Sequence, residues 1–119
     1  MGERNVELNV EQSAGVIVIS VAMPRVSADA SDEFEEAVVR AIGELEGPKV
    51  LIDFDGVEFI SSSVLGKLIK LNDTIVAGRR GQLKLSSLAR KIAEVFKITG
   101  LERLFSIHKT KDGALGSFE

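Results

Sequence analysis

Along the chain, apolar residues recur with two different periods. Val6, Leu8 and Val10 alternate with polar residues, as in a strand buried on one side only. Ser13-Ala14-Gly15 reads as a turn. Gly15 to Ala22 is apolar and mostly β-branched, which belongs to a strand covered on both faces, and Pro24 ends it. The period then lengthens. Phe34, Val38, Ala41, Ile42 and Leu45 recur at helical spacing, behind Ser31 as N-cap and Asp32 and Glu33 in the first turn. Gly47-Pro48 should stop that helix. Val50 to Phe54 has strand chemistry broken only by Asp53, and a turn at Asp55-Gly56 leads into the short extended run Val57 to Ile60. Three serines follow. Beyond them Val64, Leu68, Leu71 and Ile75 form one helical row, with Leu65, Ile69 and Val76 beside it, and Gly78-Arg79-Arg80-Gly81 closes the helix. Gln82 to Ser86 alternates as a strand. Leu88, Ile92, Val95 and Phe96 place a third helix over 88–98, ended by Thr99-Gly100. Leu104 to Ile107 is a last short strand, and residues 109–119 can form a final helix that Gly113 and Gly116 weaken.

The order β-β-α-β-α-β-α-β, with that last helix optional, argues an α/β fold: a mixed sheet of about five strands with helices mainly on one face. A length of 119 residues suits one domain over the whole chain. With 45% hydrophobic and 28% charged residues the composition is that of an ordinary soluble protein. The absence of cysteine removes disulfide scaffolds, thiolate catalysis and cysteine metal sites, and fits a reducing, cytoplasmic compartment. Residues 1–5 are charged and no long apolar run follows, so neither a signal peptide nor a membrane span is expected.

A net charge of −3 speaks against a protein that coats nucleic acid, yet the charge is uneven. Residues 1–59 carry 13 acids and 4 bases; residues 60–119 carry 5 acids and 11 bases. Either the halves interleave and neutralise each other, or they form a bipolar surface that steers a charged protein partner. Nucleic acid is disfavoured further, since the basic half offers only Phe96, Phe105 and Phe118 for stacking.

Candidate chemistry centres on Ser61, Ser62 and Ser63. They fall where a helix starts, and the first backbone N–H groups of a helix lack internal partners. Ser61 or Ser62 can cap one of them, and a phosphate is favoured at the same place by those N–H groups and the helix dipole. Plain capping and phosphate switching are both open at this point. Gly66 inside a helix suggests close packing against the sheet. Lys67 and Lys70 sit between the apolar rows, either solvated or meeting acids on a partner. Asp53 and Asp55 could suggest a metal-assisted phosphoacceptor, but Ile17 to Pro24 supplies no acid for it, so Asp53 is expected to bond nearby backbone. His108 is the only histidine and no Ser-His-Asp spacing accompanies it. No P-loop, GxGxxG or zinc spacing occurs, so no catalytic residue, metal site or cofactor is expected.

Phe59-Ile60-Ser61-Ser62-Ser63-Val64-Leu65-Gly66 resembles the phosphorylation motif of the STAS domain (sulfate transporter and anti-sigma-factor antagonist), phenylalanine, any residue, then Asp-Ser-Ser-Gly-Leu-Gly. The resemblance extends through Gly15–Ala22, Pro24–Phe34, Asp53, Gly81–Ser86 and Val95-Phe96 to Leu104-Phe105, nearly the whole chain. It implies a STAS-like α/β domain acting as a non-enzymatic anti-sigma-factor antagonist. Such proteins bind an anti-sigma-factor serine kinase and are released when one serine is phosphorylated. By position, Ser62 matches the phosphorylated serine, Ser61 the family aspartate, Ser63 the second hydroxyl residue and Val64 the glycine. Pro24-Arg25-Val26-Ser27 stands where the family often has Gly-Glu-Leu-Asp. The expected partner surface comprises Arg25, Ser27, Ser61, Ser62, Ser63, Val64, Lys67 and Lys70, with phosphorylation on Ser62 (alternates Ser61 and Ser63). Two further readings stay open: a STAS scaffold module docking without phosphorylation, and a small-molecule or nucleotide sensor using the helix start as its anion seat.

Overall fold

A computed structural model describes residues 6–118, so the reading of residues 1–5 lies outside the described part. The first two strands, β1 (Leu8–Ser13) and β2 (Val16–Val21), form an antiparallel hairpin. Its two-residue turn puts Ala14 at φ 52° and Gly15 at φ 81°, the left-handed pair that matches strand twist. A two-residue strand, β3 (Arg25–Val26), and a 3₁₀ turn at Ala28–Ala30 lead into helix α1 (Ser31–Ile42). Then come β4 (Lys49–Asp53), the short β5 (Phe59–Ile60), helix α2 (Ser62–Asn72) and β6 (Gln82–Ser86). Helix α3 (Arg90–Thr99), β7 (Ser106–His108) and helix α4 (Lys111–Leu115) complete the chain.

The main sheet has the order β1-β2-β4-β6-β7, parallel except at β1. It is thus the mixed five-stranded sheet expected. Alternation through β2 and β4 divides their side chains between two cores. Ile17, Ile19, Val21, Val50 and Ile52 pack with Phe34, Val38, Leu68, Leu71, Ile92 and Phe96 of α1, α2 and α3. Val16, Val18 and Leu51 point to the other face, where only α4 and the tail, through Ala114, Leu115 and Phe118, cover them. Burial on both sides is why these strands read as unbroken apolar runs.

Several boundaries differ from expectation for local reasons. Ser31 is not a cap: coiling begins earlier, in the 3₁₀ turn, and α1 starts with no side-chain cap. The helix ends at Gly43, φ 62°, rather than at Gly47-Pro48, which leaves Leu45 exposed. Strand β1 is an edge strand, and only Val6 before it is buried; Val10 is 51% exposed. After Asn72, α2 continues as a π-helical segment to Gly78, keeping Ile75 in the core. Gly81 then passes Pro48 so closely that a Cβ would collide with the proline carbonyl oxygen and ring, so only glycine fits.

Candidate functional site

Two short strands bring distant segments together beside the serines. β3 and β5 pair in parallel, Arg25 with Phe59 and Val26 with Ile60. The amides of Glu58 and Phe59 donate to the Pro24 carbonyl at 2.7 and 3.1 Å, and the Ser61 amide donates to the Val26 carbonyl at 3.0 Å. This ladder delivers the chain to α2 with Ser61 extended (φ −75°, ψ 164°), the geometry an N-cap needs. The Ser61 hydroxyl accepts from the Val64 amide at 3.2 Å. Capping therefore engages Ser61. Ser62 and Ser63 are the first two helical residues, both exposed, and neither hydroxyl makes a hydrogen bond among the described residues. The first turn of α2 holds no acid of its own to offset the positive field at the helix start.

Around this corner the anticipated residues differ in role. Arg25 is exposed and lies over the Phe59 ring, its guanidinium carbon 4.6 Å from the ring centroid. The Ser27 hydroxyl is turned to Asp29, donating to its carboxylate at 2.7 Å. Val64 is sealed in the core, so its side chain neither blocks nor contacts anything docking from outside. Gly66 contradicts the packing expected of it: it is exposed, and a Cβ there would meet nothing within 4 Å.

Lys67 and Lys70 are not simply solvated. Lys67 reaches across to α1, 2.9 Å from Asp32 and 3.1 Å from Glu35, and Lys70 lies 3.3 Å from the second oxygen of Glu35. The hydrogen bond and charge of Lys67 hold the Asp32 carboxyl below the usual carboxylate range. For Glu35, partial burial pushes upward, but the two lysines outweigh it and its pKa is also lowered. Hydrogen bonds to both acids raise Lys67 above an ordinary lysine. Sequence reasoning passed over Asp32 and Glu35 as partners. The available signal was the i,i+3 spacing of acids on α1 matched by the i,i+3 spacing of lysines on α2.

The other side of α2 is apolar. Phe59, Ile60, Leu65, Ile92 and Val95, rimmed by Glu58 and Lys91, line a groove of about 180 Å³ between the start of α2 and α3. Ile69, next along α2, is 41% exposed.

Two further candidates have side-chain partners of their own. Asp53 is buried and accepts from the Ser86 hydroxyl at 2.7 Å, a side-chain partner on the neighbouring strand rather than the nearby backbone expected. His108 Nε2 lies 3.0 Å from the Ser106 hydroxyl and 3.3 Å from that of Ser117. No cluster of three histidines or carboxylates able to hold a metal occurs among the described residues. None of their helices is long and apolar enough to cross a membrane.

The STAS domain family model matches residues 7–114. The chain belongs to the STAS domain family. Its fold is similar to that of an anti-sigma-factor antagonist (STAS) domain protein from Planctomyces limnophilus, with 28% identity and a TM-score of 0.84 over 92% of this chain and 96% of that one. An anti-sigma factor antagonist from Mycobacterium paratuberculosis is 23% identical, with a TM-score of 0.76 over 98% and 97% of the two chains. SpoIIAA, a Bacillus cell fate determinant whose phosphorylated form is known, is 18% identical, with a TM-score of 0.68 over 92% and 97%. At these last two identities the likeness is one of fold. In this STAS domain the motif serines occupy the N-cap and the first two positions of α2, and Ser61 and Val64 stand where the motif it resembles has aspartate and glycine. Ser61 supplies the cap itself, and Val64 turns inward.

Proposed function

We propose that this STAS domain is a non-enzymatic cytoplasmic regulator of the anti-sigma-factor-antagonist type. It binds an anti-sigma-factor serine kinase through the start of α2 and is released when Ser62 is phosphorylated. The observation that carries this reading is the division of labour among three adjacent serines: Ser61 is engaged as cap, whereas Ser62 stands uncovered at the first helical position. The helix accepts a dianion there, because free N–H groups and the dipole favour it. A partner packed over the same spot does not. Incubation with the cognate kinase and a nucleoside triphosphate should add one phosphate by intact mass, and Ser62→Ala should abolish it. Labelling retained in that variant moves the site to a neighbouring serine; no labelling of the wild type overturns the switch.

One observation favours a second reading, docking without phosphorylation. The family aspartate beside the acceptor is Ser61 here, and the first turn of α2 is without acid. Equal recovery of the partner by wild type and Ser62→Asp would select that reading.

A further inference from the structure

The two uncovered serines face different surroundings. At about 100° per residue, Ser62 and Gly66 fall on the outward side of α2, opposite the buried Val64, Leu68 and Leu71. Ser63 lies about a quarter-turn away, on the edge toward α1, with Lys67 as its i+4 neighbour and Lys70 one turn further. Lys67 is the residue that ties α2 to Asp32 and Glu35. Resting on the reading that the start of α2 is phosphorylated, we propose that Lys67 is an exchangeable clamp. It holds α1 while Ser63 carries a hydroxyl, and transfers to the phosphate when Ser63 is modified.

The exchange must release Lys67 from both Asp32 and the largely covered Glu35, each of which it meets through a single ion pair. The Asp32 side chain is 82% exposed, so its pairing with Lys67 is screened and water readily replaces it. Glu35, 17% exposed, keeps Lys70. A phosphate dianion one helical turn from Lys67 is the stronger acceptor. In the modification, the bond from the γ-phosphorus of a nucleoside triphosphate to the departing diphosphate breaks. A new bond forms to Ser63 Oγ, and the hydroxyl proton leaves to a base of the kinase. The two serines thereby give different outputs. A phosphate on Ser62 stands outward beside Gly66, where a docking surface meets it; one on Ser63 is neutralised within the chain and loosens the α1–α2 seam.

Phosphoserine installed during translation at position 62 or 63 tests this without any kinase, so its failure is separate from failure of the kinase reading. Phosphorus NMR titration reads the second ionisation of each phosphate. Both sit at the same helix start. The elements packed around that start carry Arg25 on β3, Glu58 just before β5, Asp29 in the 3₁₀ turn, Asp32 and Glu35 on α1, and Lys67 and Lys70 on α2. The phosphate on Ser63 should titrate about one pH unit below that on Ser62, and Lys67→Gln should erase the difference. Circular dichroism and thermal unfolding confirm that the variant is folded. Equal titration of the two phosphates, or a difference that survives Lys67→Gln, overturns the exchange.

Discussion

The two flanks of α2 meet their neighbours by opposite chemistry. Toward α1, four ionised groups satisfy one another within the chain: Lys67 and Lys70 against Asp32 and Glu35. Toward α3, Leu65 and Ile92 line a groove with Phe59 and Val95, and Ile69 continues the apolar surface beyond it. The ionic flank orients the helix and has its charges matched already. The apolar flank carries unfilled contact area at the start of α2. A protein partner gains more by desolvating that groove than by competing for matched charges. If a partner docks on the apolar flank, the charge on this presenting helix is not its recognition surface.

The largest expected effect separates the flanks directly. Leu65→Asp places an unpaired carboxylate in the groove and should weaken kinase binding by about a hundredfold or more. Lys67→Ala, on the ionic flank, should change affinity by less than about threefold. Calorimetric titration of the kinase into each variant checks both, and a reversed order would reassign the docking face to the α1 side.

Gly66 offers a sharper probe. Because a Cβ there meets nothing within 4 Å, Gly66→Ala should stabilise the fold by about 1 kcal/mol in chemical denaturation. If the partner's backbone approaches this outward position, the same variant binds more weakly although it is more stable. A stabilised variant with unchanged affinity would confine docking to the groove.

The smallest effect belongs to the ionic flank and depends on pH. Asp32 and Glu35 have lowered pKa values in the fold, so their stabilisation is present above their unfolded values of 3.8 and 4.5. It is lost as pH falls through the lowered folded values. Lys67 is raised, so its share is complete below an ordinary lysine value of 10.5 and lost as pH rises through the folded one. The stability difference between wild type and Lys67→Met should therefore be flat from about pH 6 to 9 and shrink below about pH 4. A difference that does not change with pH would mean Lys67 contributes through its aliphatic stem alone.

How much of this was legible in the sequence follows from which interactions leave a period. The row Val64, Leu68, Leu71 and Ile75 is buried throughout, and the β-branched run before Pro24 is the doubly covered β2. The serine cluster at the start of α2 was legible too, since caps and turns are local chemistry. The β3–β5 pairing was not. Two residues on each strand leave no alternation, yet this ladder is what sets the 24–27 link against Ser61. Nor was the clamp, because Lys67 and Glu35 are 32 positions apart and only the packing of α1 on α2 joins them. Gly66 misled for a related reason: a helical glycine implies an approach, but not whether the approaching group belongs to the same chain.

The central claim is that the state of the Ser62 hydroxyl decides whether another protein can occupy the start of α2. The most direct test is the affinity of the anti-sigma-factor kinase for the chain carrying serine or phosphoserine at position 62. A loss of about a hundredfold on modification, equivalent to about 2.7 kcal/mol, is the expected result. Equal affinity for the two forms would contradict the account.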